Sequence, residues 1–332
     1  MMQVHPFSVT LAPPLQTATG PMRRRRGFVV RRQVGETTGV GEATPLPGWT
    51  ESQSTCEAAL AGDHPLDPTV TPAAHHGVEL AALVAEARAA EVPVATLLGA
   101  PEVTSVPVNA TVGVSTPAEV ATAVGAAVDA GYRTVKLKLA GEPTDVDRLA
   151  AATGVADDVH IRADCNGAAD RPTAISICAA AAELGVEFIE QPLPPSDRAG
   201  LEELASLGCP IAVDEGLLEH DVTALAEVGV AVIICKPMVL GGLRRVLRIA
   251  AAADAAGLTT VVTSSYDAVI ARTAAAHLAA AVGGPHAHGV ATGDRVVGDI
   301  APDPLRVTEG RVTVGAEAGL GGLTERSYDP GA

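Results

Sequence analysis

Five charged residues recur along this chain at nearly constant steps: Lys138, Asp164, Glu190, Asp214 and Lys236, separated by 26, 26, 24 and 22 residues. Each stands at the end of a short apolar run that reads as a strand: TVKLKL, HIRADCN, VEFIEQP, PIAVDEG and AVIICKP. A step of that length holds one strand, one helix and two loops. A chain that repeats it, with a charge at the C-terminal end of each strand, is expected to form a parallel barrel whose active site lies at that end. Three carboxylates meeting there would make a site for a hard cation. Two flanking lysines would bring acid/base chemistry to it.

The rest of the chain divides around this repeat. From Val106 onward eight strand signals alternate with Ala- and Leu-rich helices, beginning with VPVNATV and ending with HGVATG. The first helix, TPAEVATAVGAAVDAG, has Thr116 as N-cap and Gly131 as C-cap. Others are expected near 145–153, 172–184, 197–206, 219–227 and 267–281. Such alternation implies a parallel sheet covered by helices. A doubly wound open sheet competes with a closed ring, and charges at five successive strand ends favour the ring.

Residues 1–103 carry no such repeat. VHPFSVTLA and RRRRGFVVRRQV read as strands joined by a Pro/Gly-bearing loop from Pro13 to Pro21. TTGVGEATPLPGW reads as a turn region, and HHGVELAALVAEARAAE as a helix stopped by Pro93. In the tail, LRVTEGRVTVG reads as two strands around a Glu-Gly turn. The expected fold class is therefore α/β: a (β/α) barrel over 104–299, with an α+β capping domain formed by 1–103 and completed by 300–332.

Net charge is −16, which argues against a nucleic-acid partner, because phosphate binding needs clustered positive charge. The one basic cluster, Arg23 to Arg26 with Arg31 and Arg32, reads as a solvated strand edge or as a group that helps hold an anionic substrate. With the 13–21 loop it could also fold over the barrel mouth as a lid. The five cysteines show no CxxC spacing, which disfavours zinc or a redox pair and suggests reduced thiols in a cytoplasmic protein. Cys165 and Cys235 each adjoin a candidate site residue. Strand alternation turns them toward the helix layer. No apolar run reaches membrane-spanning length. Oligomeric state is not legible.

The same alternation puts Lys136 beside Lys138 on one face, and Asp164 beside Asn166. Three monodentate carboxylates on a magnesium ion would leave coordination positions for a substrate carboxylate, with manganese as a substitute. Removing a proton next to that carboxylate builds a dianion, which the cation would stabilise as a Lewis acid. A lysine base needs a lowered pKa, and nearby positive charge lowers it. On this reading Lys138 is the base, Lys136 its helper, and Lys236 a second base or a standing cation.

At these residues the chain resembles the enolase superfamily, through KLK at 136–138, DCN at 164–166, IEQPL at 189–193, VDEG at 213–216 and KPMVLGG at 236–242. The resemblance implies a modified TIM barrel with Asp164, Glu190 and Asp214 as magnesium ligands, and Lys138 and Lys236 as the acid/base pair; a lysine base with a magnesium-stabilised enediolate is the superfamily's known pattern. The lysine arrangement is similar to the muconate-lactonizing subgroup, which contains o-succinylbenzoate synthases, dipeptide epimerases, N-acylamino acid racemases and muconate cycloisomerases. Chain length, Val239 three residues after Lys236, and the lack of Asp-x-Asp within 288–298 favour the synthase, a dehydratase of menaquinone biosynthesis, over the others. The resemblance also implies a small anionic carboxylate substrate met by Ser264, Ser265, Arg162 and Asn166. The serines would act with the amides of the following helix start, although simple helix capping would account for the pair as well. A non-catalytic anion-binding barrel is the alternative from a different class.

Overall fold

The structure is a computed structural model that describes residues 2–17, 20–101 and 104–323. Its N-terminal layer is an antiparallel sheet built from β1 (Met2–Thr17), β2 (Gly20–Val34) and β3 (Thr37–Ala43). The segment expected as a loop from Pro13 to Pro21 is largely strand. The β1–β2 pairing runs from Met2–Arg32 to Thr17–Gly20, with a register shift between Thr10 and Leu15. Residues 18 and 19 lie outside the described residues.

The expectation of turns in TTGVGEA is overturned, because Thr37–Ala43 pairs along β2. Its glycines serve close approach, not turning. A Cβ on Gly39 would lie 1.9 Å from the Ala81 carbonyl oxygen, and one on Gly41 would lie 2.0 Å from that of Gly77. The missing side chains let a helix rest directly on the strand. After α1 (Gln53–Ala61), that helix is α2 (Pro72–Ala89), followed by the short α3 (Val94–Leu97). Pro72 fits the first helical turn, where no N–H bond is lost.

VPVNATV does not make one strand. It divides into β4 (Thr104–Pro107) and β5 (Ala110–Val112). From β5 the βα alternation proceeds through α4 (Pro117–Asp129), β6 (Thr134–Lys138), α5 (Asp145–Thr153), β7 (His160–Asp164), α6 (Arg171–Glu183) and β8 (Ile189–Glu190). It continues with α7 (Arg198–Ala205), β9 (Ile211–Val213), α8 (Gly216–Glu219), α9 (Val222–Glu227) and β10 (Val232–Cys235). The last part holds α10 (Pro237–Leu240), α11 (Leu243–Ala255), β11 (Thr259–Val262) and α12 (Val269–Val282). Thr116 caps α4 in a reciprocal capping box with Glu119. The single helix expected near 219–227 is two, because His220 is extended and Asp221 caps the second piece.

Strands β5 to β11 lie side by side in chain order, all parallel. The ring closes through two residues rather than a full eighth strand. His288 N–H donates to the Pro107 carbonyl at 2.8 Å, and Asn109 N–H to the His288 carbonyl at 3.2 Å. On the other side Gly289 N–H donates to Val262 and Ser264 N–H to Gly289. Gly289 is required there, since a Cβ would sit 2.5 Å from the Thr263 hydroxyl. The expected HGVATG strand is thus reduced to its first residues, while β12 (Val296–Val297) leaves to pair with β1.

In the tail, β13 (Val307–Thr308) and β14 (Arg311–Val314) turn at Glu309 and Gly310, both at positive φ. The hairpin pairs with β4, not with the N-terminal sheet. Gly319 and Leu323 then reach Pro93 and Arg88 of the N-terminal segment. The result is a curled parallel sheet covered by helices, with an antiparallel capping sheet. The large core lies between the parallel strands and their helix layer, a separate small cluster of Phe188, Ala212, Val232, Ile234 and Val261 lies on the inner face of the barrel, and another joins the cap to Met238 and Ala271.

Candidate active site at the C-terminal end of the barrel

Register brings the acids and lysines to one level. Lys138 pairs across from Asp164, and Asp164 across from Glu190. Asp214 and Lys236 are the residues immediately after β9 and β10. All three acids are buried, Asp164 completely. Lys138 and Lys236 stand on opposite arcs of the ring, with β7, β8 and β9 between their strands.

The side chains interlock. Lys136 Nζ donates to both oxygens of Glu190 at 2.7 Å and lies 2.8 Å from Asp164 Oδ2. Lys138 Nζ donates to Asp164 Oδ2 at 2.5 Å and to Asn166 Oδ1 at 2.7 Å. Lys236 Nζ donates to Asp214 and lies 3.7 Å from the centre of the Trp49 ring. The cap thereby touches the site, since a cation over an indole face is attracted by its quadrupole. Asn166, at positive φ, donates its amide to Glu215 at 3.2 Å. Gln191 accepts from the Asp214 and Gly216 N–H groups and donates to the Leu193 carbonyl, which fixes the turn after β9.

The electrostatics are those of acids and bases crowded in a dry place. Burial acts to raise the Asp164 pKa, but Lys136 and Lys138 outweigh it and hold it well below the carboxylate range. Burial, and then the charge of Asp164, push Glu190 up to about 8 despite Lys136. Burial alone would lower Lys136. Asp164 and Glu190 prevail and raise it above the ordinary lysine value, so Lys136 is a cation held between these two acids, 2.8 Å from Asp164 and 2.7 Å from Glu190. Glu215 is raised, chiefly by burial and by Asp214.

Other expected residues fall in different surroundings. Arg162 is buried one layer below the acids, level with Lys136. Its guanidinium is committed to Glu187, to the Ala287 carbonyl and to the face of Phe188. Ser264 and Ser265 are buried just beyond β11. The Ser264 hydroxyl bonds that of Thr292 at 2.8 Å, while the Ser265 hydroxyl has no hydrogen-bond partner. The amides expected to join them are taken. Ala268 and Ala271 N–H donate to Glu42, and Val269 N–H to Asp299. Protein carboxylates already fill the start of α12, which corrects the expected anion cradle there. Of the basic cluster, Arg23, Arg24 and Arg26 are exposed and Arg25 is buried. All five cysteines are buried free thiols, and burial pushes Cys178 up to about 12.

Among the described residues no three His, Cys, Asp or Glu side chains are grouped to hold a metal as they stand, and the lysine ammoniums lie among the acids. The donor set nevertheless fits a hard divalent cation in kind. Asp164, Glu190 and Asp214 offer buried oxygens at neighbouring strand ends, and Glu190 is a carboxylate whose charge the present surroundings disfavour. Sequence reasoning missed Trp49, Gln191, Glu215, Glu42 and Asp267. Trp49, the single tryptophan in the chain, carried a usable signal. The others were ordinary polar residues in loops and strands. No helix among the described residues is long and apolar enough to cross a membrane.

Residues 119–324 match the family model described as enolase C-terminal domain-like. An aromatic dipeptide epimerase from Herpetosiphon aurantiacus is 28% identical over 304 residues, covering 84% of this chain and 85% of that protein. An o-succinylbenzoate synthase from Thermobifida fusca is 33% identical over 246 residues, covering 70% of this chain and 74% of its own. The solved dipeptide epimerase from Methylococcus capsulatus, in complex with magnesium and the dipeptide L-Arg-D-Lys, superposes with a TM-score of 0.86. It is 27% identical, with 97% of this chain and 98% of that one covered.

Proposed function

The chain belongs to the enolase superfamily, in its mandelate racemase and muconate lactonizing group, and from that premise we propose that it is a magnesium-dependent o-succinylbenzoate synthase. The reaction is the syn dehydration of 2-succinyl-6-hydroxy-2,4-cyclohexadiene-1-carboxylate. The observation that carries the reading is the placement of Lys138 and Lys236 on opposite arcs of the barrel, with Asp164, Glu190 and Asp214 between them. The similarity to the Thermobifida fusca synthase supports it. So does the surrounding of Asp294, the nearest acid to the place where an epimerase would need a partner for an amine: its side chain is 76% exposed and lies beside Arg295.

Asp164, Glu190 and Asp214 are the residues that would hold magnesium. When bound, the ion supplies Lewis-acid stabilisation to a substrate carboxylate. Lys138, oriented by Asp164 and Asn166, removes the proton beside that carboxylate. Lys236, placed between Asp214 and the Trp49 face, faces the developing negative charge from the other side. Lys138 then passes its proton to the departing hydroxyl on the same face, which leaves as water. One base therefore serves both events. Lys136 keeps Glu190 and Asp164 in place and acts as a positioning cation.

A second reading, epimerisation of a dipeptide or N-acyl amino acid, is favoured by the Herpetosiphon aurantiacus relative, whose similarity spans 84% of this chain. It needs both lysines as bases. Ultraviolet absorbance of the diene with magnesium and then with EDTA, alongside deuterium exchange at the α-carbon of N-succinyl amino acids and dipeptides, separates the two. Magnesium-dependent loss of the diene band supports the synthase. Exchange without diene loss transfers the site to the epimerase.

A further inference from the structure

The segment that leads from β11 into α12 is held from outside the barrel. Glu42, completely buried in β3, accepts the N–H groups of Ala268 and Ala271, each at 2.8 Å, and the hydroxyl of Thr44. Arg25, 1% exposed in β2, donates to the carbonyls of Pro45 at 2.7 Å and Thr44 at 2.8 Å. Its other reach is to Asp267 Oδ1 at 3.4 Å. The second oxygen of Asp267 accepts the Ser265 N–H at 2.9 Å. Between them Tyr266 is held at φ 55°, a conformation that a bulky residue keeps only when its surroundings impose it. Strand β1 packs against this turn through Val9 and Leu11, which share an apolar cluster with Ala268 and Tyr266.

A continuous path thus runs from the cap, through Arg25 and Asp267, to Ser265 at the barrel mouth. Cys235 and Val262 are in register, so Ser264 and Ser265 begin one residue beyond the level of Lys236. The Ser265 hydroxyl, in a residue 4% exposed, is buried and unpartnered. A buried donor is rarely left unsatisfied. Plain interface cohesion would not need the link from Asp267 to the Ser265 amide, nor a cap carboxylate across the start of α12.

We propose that Arg25 and Glu42 are positioning residues of the active site: they fix the segment Ser264–Asp267 so that Ser265 presents a hydrogen-bond donor to an acceptor oxygen on the part of the substrate remote from the reacting carbon. The proposal rests on the reading of the barrel mouth as the substrate site. It assigns the cap a part in catalysis through the backbone it holds, separate from any lid.

The test uses the full-length enzyme with saturating magnesium and the variants Arg25→Met, Glu42→Gln, Ser265→Ala and the double variant Arg25→Met/Ser265→Ala. Ser265→Ala should raise KM roughly tenfold, the size of one hydrogen bond, with kcat nearly unchanged. Arg25→Met and Glu42→Gln should lower kcat/KM by up to about tenfold, no more than Ser265→Ala, the contact through which they act, while magnesium affinity measured by calorimetry stays within about twofold. The double variant should lose little more than Arg25→Met alone, because both act through Ser265. Additive losses, or normal kcat/KM in Arg25→Met, would overturn the proposal. Hydrogen exchange of amides 265–271 gives a readout that needs no turnover. Faster exchange in Glu42→Gln, which keeps the shape of the side chain, is expected, and unchanged protection refutes the proposal even if Arg25→Met fails to fold. A wild-type enzyme inactive on the diene would sink the synthase reading and leave the exchange result to decide the positioning role.

Discussion

Protonation of His288 should open the barrel at its weakest seam. His288 closes the ring through its backbone, and its ring does so again: Nδ1 accepts the Val262 N–H at 3.0 Å. An imidazolium has no lone pair for that bond. Burial, with Arg162 nearby, pushes the His288 pKa down from 6.5 to about 4. The folded state therefore binds fewer protons than the unfolded chain between these values. The sign follows: the contribution is complete above pH 6.5 and is lost as pH falls toward 4. At ~1.4 kcal/mol per pH unit the whole displacement is worth ~3 kcal/mol, and most of it should be gone by about pH 4.5. Glu42 acts oppositely, since burial and Asp267 raise it to about 7; its contribution favours folding as pH falls from 7 toward 4.5. Comparing the wild type with His288→Gln removes that background, because glutamine offers a carbonyl oxygen to Val262 that does not titrate. Urea unfolding at pH 7 and pH 4.5 should show the wild type losing ~2–3 kcal/mol more than the variant. Equal losses would refute the reasoning.

Lys236→Met should leave magnesium binding measurable by calorimetry and lower diene turnover by about 10²-fold or more, as loss of one charge-stabilising group does. Arg162→Met should destabilise the protein by ~1–3 kcal/mol in thermal or urea unfolding, because it removes a charged hydrogen-bond partner from the half-buried Glu187, which keeps only His286; a loss of activity with no loss of stability would point instead to substrate contact. Gly39→Ala should cost ~1–3 kcal/mol, since its Cβ would meet the Ala81 carbonyl. Gly113→Ala, where a Cβ meets nothing within 4 Å, should stay within ~0.5 kcal/mol in the same melt.

The barrel was legible because parallel strands buried on both faces leave apolar runs, and because its chemistry repeats one charge per βα step. Asp164, Glu190 and Asp214 could be placed at strand ends from that rhythm alone. What the pattern hides is contact between distant segments. Gly39 and Gly41 carry a turn composition, yet their use is to admit the backbone of α2. Arg25 sits in a run of four arginines that reads as a solvated edge, and only the fold shows that it is buried against Asp267. The start of α12 looks open to an anion until Glu42, 226 residues away, is seen to fill it. The eighth strand fails as a strand because closing the ring takes only His288 and Gly289. Lys136 reads as a neighbour of Lys138, whereas across the strands it faces two acids.

In the proposed function Lys138 moves the proton at a magnesium site that Asp164, Glu190 and Asp214 would build. This role is tested most directly by following loss of the cyclohexadiene band with wild type and Lys138→Ala, both folded and saturated with magnesium. The wild type should turn the diene over and the variant should keep less than about 1% of that rate, in line with the 10²–10⁴-fold that a positioned base supplies. Turnover by Lys138→Ala comparable to the wild type would contradict it.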